Sequence, residues 1–381
     1  MSVAMNFAYS DDQKALAELA RKILADKATH ERIGAIEKSS DGFDRELWSE
    51  LAKANLLGAC LPEDFGGSGL GMLELCLLLE EIGRAVAPVP FWATLALGAL
   101  PIAQFGSTQQ KAAFLPGVVA GETVLTGAFE EADADDPARP STRAVRDGSA
   151  WRLTGTKVCV PAAHIATRVL VPASVGGGRV GLFLVDPKAK GVKLEMQRAT
   201  SREPVATLKL ARAKVGAADV LGTLARGKEM IAWITERAIT GLCALQVGVA
   251  DRALRMTAKY TSERKQFDRP IGSFQAVHQR AADAYVNLEA MRLTMQQAAF
   301  LLAENRPATL AVSVAKIWAA DGGNHATYAA QHLHGGIGMD NDYPLHRSYL
   351  WTRQIELTLG SAARHLERLG DALAELPPGG R

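Results

Sequence analysis

Tyr260-Thr-Ser-Glu-Arg-Lys-Gln-Phe-Asp-Arg-Pro-Ile-Gly-Ser-Phe-Gln275 separates two long amphipathic runs. Before it, Leu242, Leu245, Val249, Ala253, Met256 and Tyr260 recur on one helical stripe. After it, Val277, Ala281, Ala284, Leu288, Met291 and Met295 form another, with Ser273 placed to cap its start. The stretch therefore reads as a helix–loop–helix corner between helices that pack as a bundle. Arginine at such a corner can grip a pyrophosphate with two parallel hydrogen bonds, which lysine cannot. Arg264 is that arginine. Phe267 offers a flat face to an adenine or a ribose, and the next helix start offers N–H groups to an anion. Charge alone favours a blander reading, a solvated basic turn.

Outward from this corner, helical periodicity runs from about residue 223 to about residue 376. Residues 223–381 are expected to form a C-terminal helical bundle domain, with Pro377-Pro-Gly-Gly-Arg381 as a disordered tail. Residues 123–222 change character and are expected to form a middle β domain. Trp151 to Gly155, Thr156 to Val160, Arg168 to Pro172, Val180 to Val185 and Val205 to Leu210 are short β-prone runs. Gly176-Gly-Gly178 suits a hairpin turn, and Glu130 to Pro140 reads as loop. Even spacing of short strands predicts an antiparallel sandwich or barrel. Residues 1–122 are helical again, with Leu16, Leu19, Ala20 and Ile23 on one stripe and Met72, Leu75, Leu79 and Ile82 on another. The expected fold class is mainly α with a β insert: an N-terminal helical domain, a middle β domain and a C-terminal four-helix bundle.

The length of 381 residues suits two or three domains at about 150 residues each. Lys plus Arg number 43 against 41 Asp plus Glu, a net charge of +2. No long-range field then favours nucleic acid or an anionic membrane. Cys60, Cys76, Cys159 and Cys243 form no Cys-x-x-Cys pair, which removes zinc knuckles and dithiol redox motifs and suits a reducing cytoplasm. Met1 to Phe7 lacks the basic and apolar regions of a signal peptide. Residues 85–110 carry no charge, but Pro88, Pro90 and Pro101 interrupt them. The apolar remainder, Phe91 to Leu100, is too short to span a bilayer and reads as a buried core helix. No Gly-x-Ser-x-Gly elbow, His-Glu-x-x-His, Walker loop or Rossmann fingerprint occurs.

Gln331-His-Leu-His-Gly-Gly-Ile-Gly338 is a second candidate site, because glycines let backbone approach a ligand. His332 and His334 lack a carboxylate or cysteine at usual ligand spacing, so no metal is expected. The order of helices, β domain and helices, with these motifs, resembles the acyl-CoA dehydrogenase family over about residues 7 to 370. The marks are Leu61-Pro-Glu-Asp-Phe-Gly-Gly67, Gly106-Ser-Thr-Gln-Gln-Lys111, Leu153-Thr-Gly-Thr-Lys157, Arg264-Lys-Gln-Phe267, His334-Gly-Gly336 and Tyr343-Pro344.

The resemblance implies a flavoenzyme in which FAD takes a hydride from the β-carbon of an acyl-CoA while a carboxylate removes the α-proton. It implies dimers or pairs of dimers, with the ADP part of FAD reaching into the neighbouring chain, and an electron-transferring flavoprotein as acceptor. Carried over, Arg264 would bind the pyrophosphate, flanked by Gln266 and Phe267. Gly335 and Gly336 match the close backbone approach, His332 stands where a Gln is usual, and Gly360-Ser361 follows the base position. Asp268 replaces a usual Gly, a mild electrostatic negative beside the anion. The flavin half departs: Phe129 stands at a Thr or Ser position, Asp135 at a Ser, Cys159 at an aromatic and Pro161 at a Thr. The base departs too, with Leu359 at the usual glutamate position and Ala238 at the alternative one; leucine cannot take a proton. Glu236 and Glu356 are weak substitutes, each reading more simply as a solvated or ion-paired helix residue. Three readings remain: a subunit supplying the ADP-binding half of a shared FAD site to a catalytic partner, an active homo-oligomer with an unusual base, or a cofactor-free helical scaffold. Family members acting in heteromers lack the glutamate in this way and handle steroid or other bulky acyl-CoA substrates.

Overall fold

The computed structural model describes residues 7–374. The tail from Pro377 to Arg381 lies outside them. Helices α1 (Asp11–Lys27), α2 (His30–Lys38), α3 (Arg45–Lys53), α4 (Met72–Ala85), α5 (Phe91–Thr94), α6 (Leu100–Phe105) and α7 (Thr108–Val119) come first. Strands β1 (Leu125–Gly127), β2 (Arg143–Asp147), β3 (Ala150–Pro161), β4 (Arg168–Gly176), β5 (Arg179–Val185), β6 (Val192–Arg198), β7 (Pro204–Val215) and β8 (Val220–Leu221) follow. Then come α8 (Gly227–Glu263), the short strands β9 (Lys265–Gln266) and β10 (Arg269–Pro270), α9 (Gln275–Ala303), α10 (Thr309–His334), α11 (Leu345–Leu357) and α12 (Ala362–Ala374). Helical segments thus flank a sheet, as the periodicity predicts.

The chain packs as two compact units. One comprises Met1–His30, Met72–Ala87 and Ile239–Arg381; the other comprises Glu31–Gly71 and Pro88–Ala238. In the second unit the sheet has the order β6-β7-β3-β2-β4-β5-β8, with β1 also on β4. Most neighbours are antiparallel, while β1 and β2 run parallel to β4. Leu153, Val169, Phe183 and Leu208 are fully buried in its core, and Trp151 meets the edge of Phe183. Gly176, Gly177 and Gly178 all have positive φ in the β4–β5 turn, a backbone that glycine enters at little cost. The uncharged stretch forms α5, a π-helical turn at Leu95–Ala99 and α6, all of it largely buried.

Lys157, from the Leu-Thr-Gly-Thr-Lys run, is fully buried on β3 and pairs with Glu131 at 2.6 Å. Glu131 also accepts the backbone N–H groups of Ser141 and Thr142. Burial works against both charges and pushes the Lys157 ammonium down, but Lys157 and the N–H donors outweigh burial at Glu131 and hold its carboxyl below the usual range. The segment read as loop is therefore anchored at its start and its end.

The end of β6 clasps the C-terminal end of α2, where Arg198 donates to the carbonyls of Glu37 and Ser39, and the turn to β7 follows. Within this turn the carboxyl group of Glu203 is buried, although the residue keeps some surface, and it accepts one hydrogen bond from Ser201. Burial pushes the carboxyl up to about 7. A raised folded-state value means stability is greatest below the unfolded value and falls as pH rises through about 7. Glu203→Gln is expected to remove a slope of up to about 1.4 kcal/mol per pH unit across that window. Urea denaturation at several pH values checks it; identical slopes in variant and parent would contradict the assignment.

In the first unit, α4 and α8 touch backbone to backbone. A Cβ on Gly83 would stand 2.1 Å from the Leu245 carbonyl oxygen, and one on Gly248 1.9 Å from that of Glu80. Beside this crossing, Glu80 and Glu81 of α4 pair with Arg84, Arg292 and Arg21. Asp251 of α8 pairs with Arg84 and Arg255. These buried acids are thus neutralised by arginines from α1, α4, α8 and α9.

Candidate functional site

The Arg264 corner folds as a β-hairpin rather than a plain loop. Strands β9 and β10 pair through Gln266 and Arg269, leaving Phe267 and Asp268 as a two-residue turn. Their φ values are 53° and 63°, the type I′ pattern that matches strand twist. Ser273 does not cap α9: its hydroxyl donates to the Pro270 carbonyl, and Phe274 occupies the cap position without a side-chain bond. The 3-10 turn Ile271–Ser273 takes up the residues where the helix was expected to begin.

Arg264 is exposed, and its backbone is fixed at both groups: N–H to the Tyr260 carbonyl and C=O from the Ile271 N–H, each 2.8 Å. Among the described residues no side chain pairs with its guanidinium. Phe267 is 87% exposed, with its ring edge-on to Phe274 at 6.2 Å. The Arg269 guanidinium lies 4.1 Å from the Phe274 ring centre. Gln266 is exposed and its amide donates to the neighbouring Lys265 carbonyl.

The glycine motif ends α10. Gly335 takes φ 66°, and its N–H donates to the Gln331 and His332 carbonyls. A Cβ built on Gly335 or on Gly336 would meet nothing within 4 Å, so both backbones are open to a ligand. His332 is exposed beside them. His334 is buried and does different work. Its Nδ1 lies 2.8 Å from the Ala330 carbonyl, which can only accept, so Nδ1 carries the proton. Nε2 then accepts from the Tyr343 hydroxyl at 3.1 Å. Burial pushes the imidazole down and keeps it neutral, as that bond requires. The ring stacks on Tyr260 at 4.4 Å. The stack of Tyr260, His334 and Tyr343 thus ties the end of α8, one helical turn before Arg264, to the end of α10, where Gly335 and Gly336 follow His334. Sequence reasoning missed this buttress. Its signal was present in Tyr260 closing one stripe and in the Tyr343-Pro344 pair.

Leu359, which the resemblance puts at the base position, follows α11. Leu359 is 9% exposed at φ 56°, and His365 Nε2 lies 3.1 Å from its carbonyl oxygen. Gly360 has φ 105°, and the Ser361 carbonyl accepts the N–H of His365. The turn is firmly held, but its side chain is a hydrocarbon. Glu356 is engaged by Arg353 at 2.6 Å and by Asn324 at 2.9 Å, which makes it an ion-paired helix residue. Glu236 is partly buried on α8, two residues before Ala238, whose carbonyl accepts the Trp92 indole N–H at 2.9 Å.

The flavin-side positions lie in the other unit. Phe129 is buried, and its ring folds so close over Gly127 that a Cβ there would be 2.5 Å from it. Pro161 has no N–H, and its carbonyl is taken by the Thr126 hydroxyl at 2.7 Å. Cys159 is exposed at φ 52°, and Asp135 is exposed in the loop after Glu131. The ADP-side residues fit an adenine dinucleotide: open glycine backbones, an unpaired arginine and an exposed aromatic face. At the positions that the resemblance gives to the flavin ring, the buried Phe129 presents a phenyl ring and Pro161 has no N–H, so neither offers a side-chain or N–H hydrogen bond in the way a Thr would. Among the described residues, no group of His, Cys, Asp and Glu could hold a metal ion.

Residues 10–122 match the acyl-CoA dehydrogenase N-terminal domain, and residues 225–374 match the acyl-CoA dehydrogenase C-terminal domain. The chain belongs to the acyl-CoA dehydrogenase family, whose members are FAD-binding oxidoreductases acting on the CH–CH bond of acyl-CoA thioesters. It is 37% identical to the acyl-CoA dehydrogenase FadE27 of Mycobacterium tuberculosis, over 98% of this chain and 100% of that one. Two solved structures share the fold closely. A chain of the "Tcur3481-Tcur3483 steroid ACAD G363A variant" is 47% identical with a TM-score of 0.90, covering 96% of this chain and 98% of that one. A chain of the ChsE4-ChsE5 complex from Mycobacterium tuberculosis is 37% identical with a TM-score of 0.92, covering 98% and 100%.

Proposed function

We propose that this chain is the ADP-side subunit of a heteromeric acyl-CoA dehydrogenase, working with a related chain that carries the base. One observation carries the reading. Arg264, Phe267 and the Gly335 and Gly336 backbones are open to a ligand, while Phe129, Pro161 and Leu359, which the resemblance puts at the ring and base positions, carry no side chain that can hydrogen-bond a ring or take a proton. Bound FAD supplies a hydride acceptor for the β-carbon of the acyl-CoA, with the partner's carboxylate taking the α-proton. In this chain, Arg264 offers two parallel N–H donors to the pyrophosphate, and Phe267 covers the adenosine face. The Gly335 and Gly336 backbones admit the phosphates closely. His332 can donate a hydrogen bond beside them, and the turn at Gly360-Ser361 completes the proposed set.

The relatives described as a steroid enzyme and as a two-chain complex support a steroid-type acyl-CoA substrate and a heteromer. A pair of dimers in the cytoplasm, reoxidised by an electron-transferring flavoprotein, is the corresponding assembly. No helix among the described residues is long and apolar enough to cross a membrane. The test is the visible spectrum of the chain purified alone and with its related partner. A colourless chain and a yellow pair, with about one FAD per two chains, is the expected result. A yellow chain that oxidises acyl-CoA alone would replace this reading with the homo-oligomer, and Glu236→Gln would then show whether Glu236 is its base. A pair that holds no flavin would leave the scaffold reading.

A further inference from the structure

We propose that the Asp268 carboxylate accepts hydrogen bonds from the ribose hydroxyls of the adenosine half of FAD, making Asp268 a determinant of which nucleotide the cradle takes. This rests on the reading above that the chain offers its ADP cradle to a shared FAD.

Asp268 sits at a left-handed position, φ 63°, in a turn whose other residue, Phe267, is also left-handed. Glycine or asparagine would relax such a turn, so the carboxylate is held there at a cost in backbone strain. It is exposed, with Arg264, Lys265 and Arg269 within four residues of it. Even so, among the described residues none of these cations pairs with it. A carboxylate only accepts hydrogen bonds, and beside a pyrophosphate it repels. The ADP half presents strong donors elsewhere, namely its ribose hydroxyls. The hairpin separates the two tasks. Arg264 stands at its base and Asp268 at its tip, and strands rise about 3.3 Å per residue. Phosphate and sugar can therefore be met by different ends of one edge, with the exposed Phe267 ring next to the sugar's end.

The experiment uses the co-purified pair, stripped of flavin and titrated with FAD, with ADP and 2′,3′-dideoxy-ADP as competitors. With the native chain, ADP is expected to compete several-fold better than the dideoxy analogue. Asp268→Gly is expected to weaken FAD about tenfold and to erase that preference, while Asp268→Asn, whose amide oxygen still accepts, is expected to weaken FAD less and to keep part of the preference. Urea denaturation is expected to show both variants at least as stable as the parent, because each relaxes the turn. If the carboxylate is only an electrostatic burden, Asp268→Gly tightens FAD or leaves it unchanged, and the proposal falls. Arg264→Ala separates the two failures. If it loses FAD while Asp268→Gly does not, only the ribose contact is wrong; if it binds FAD normally, the cradle reading itself fails.

Discussion

Arg264→Ala in the co-purified pair is expected to strip the assembly of FAD, with retention falling by about a hundredfold or more. A bidentate, charge-assisted contact to a diphosphate is worth about 1.5–3 kcal/mol for each hydrogen bond. The loss should be specific, because the Arg264 side chain supports nothing else. Its backbone bonds to Tyr260 and Ile271 do not depend on the side chain, and no described residue leans on the guanidinium. Arg264→Lys should recover only part of the affinity, since an ammonium cannot form the fork. The measurement is flavin absorbance per chain after gel filtration, with circular dichroism to show that the fold survives. Full retention of flavin by Arg264→Ala would remove the hairpin from the site.

Lys157→Met should be severe for a different reason. It leaves Glu131 buried with no cation, in a segment whose backbone at Ser141 and Thr142 hangs on that carboxylate. Breaking one side of such a pair costs about 3–5 kcal/mol. A typical total stability is about 5–15 kcal/mol. The double variant Lys157→Met with Glu131→Gln removes both charges and should regain a large part of the loss. Urea midpoints for the three proteins decide it. A single variant no weaker than the double would mean that the pair carries little coupling.

The parts of the fold that were legible are those whose burial leaves a period. The stripes through Leu242–Tyr260 and Val277–Met295 became α8 and α9 because one helix face had to leave water. Strands β6 and β2 were not read, since β6 is a polar edge strand and β2 buries only Ala144. The hairpin at Phe267 was hidden because its turn lacks the residues that ordinarily announce type I′ geometry. Of the candidate site, Arg264 and the two glycines were visible as residue types in a suggestive order. The stack of Tyr260, His334 and Tyr343 was not, because it joins positions that only tertiary packing brings into contact. The Glu131–Lys157 pair was invisible for the same reason, with one partner standing in what reads as loop.

The hairpin turn has a consequence for kinetics as well as affinity. Two left-handed residues in succession leave Phe267 and Asp268 few alternative conformations once the strands have paired. The entropy of ordering the tip is lost when the chain folds, before any nucleotide arrives. Docking then needs little rearrangement, so the cradle should capture its ligand at nearly the same rate in variants that keep the turn and its charges. Affinity differences among them should appear almost entirely as differences in how long the ligand stays.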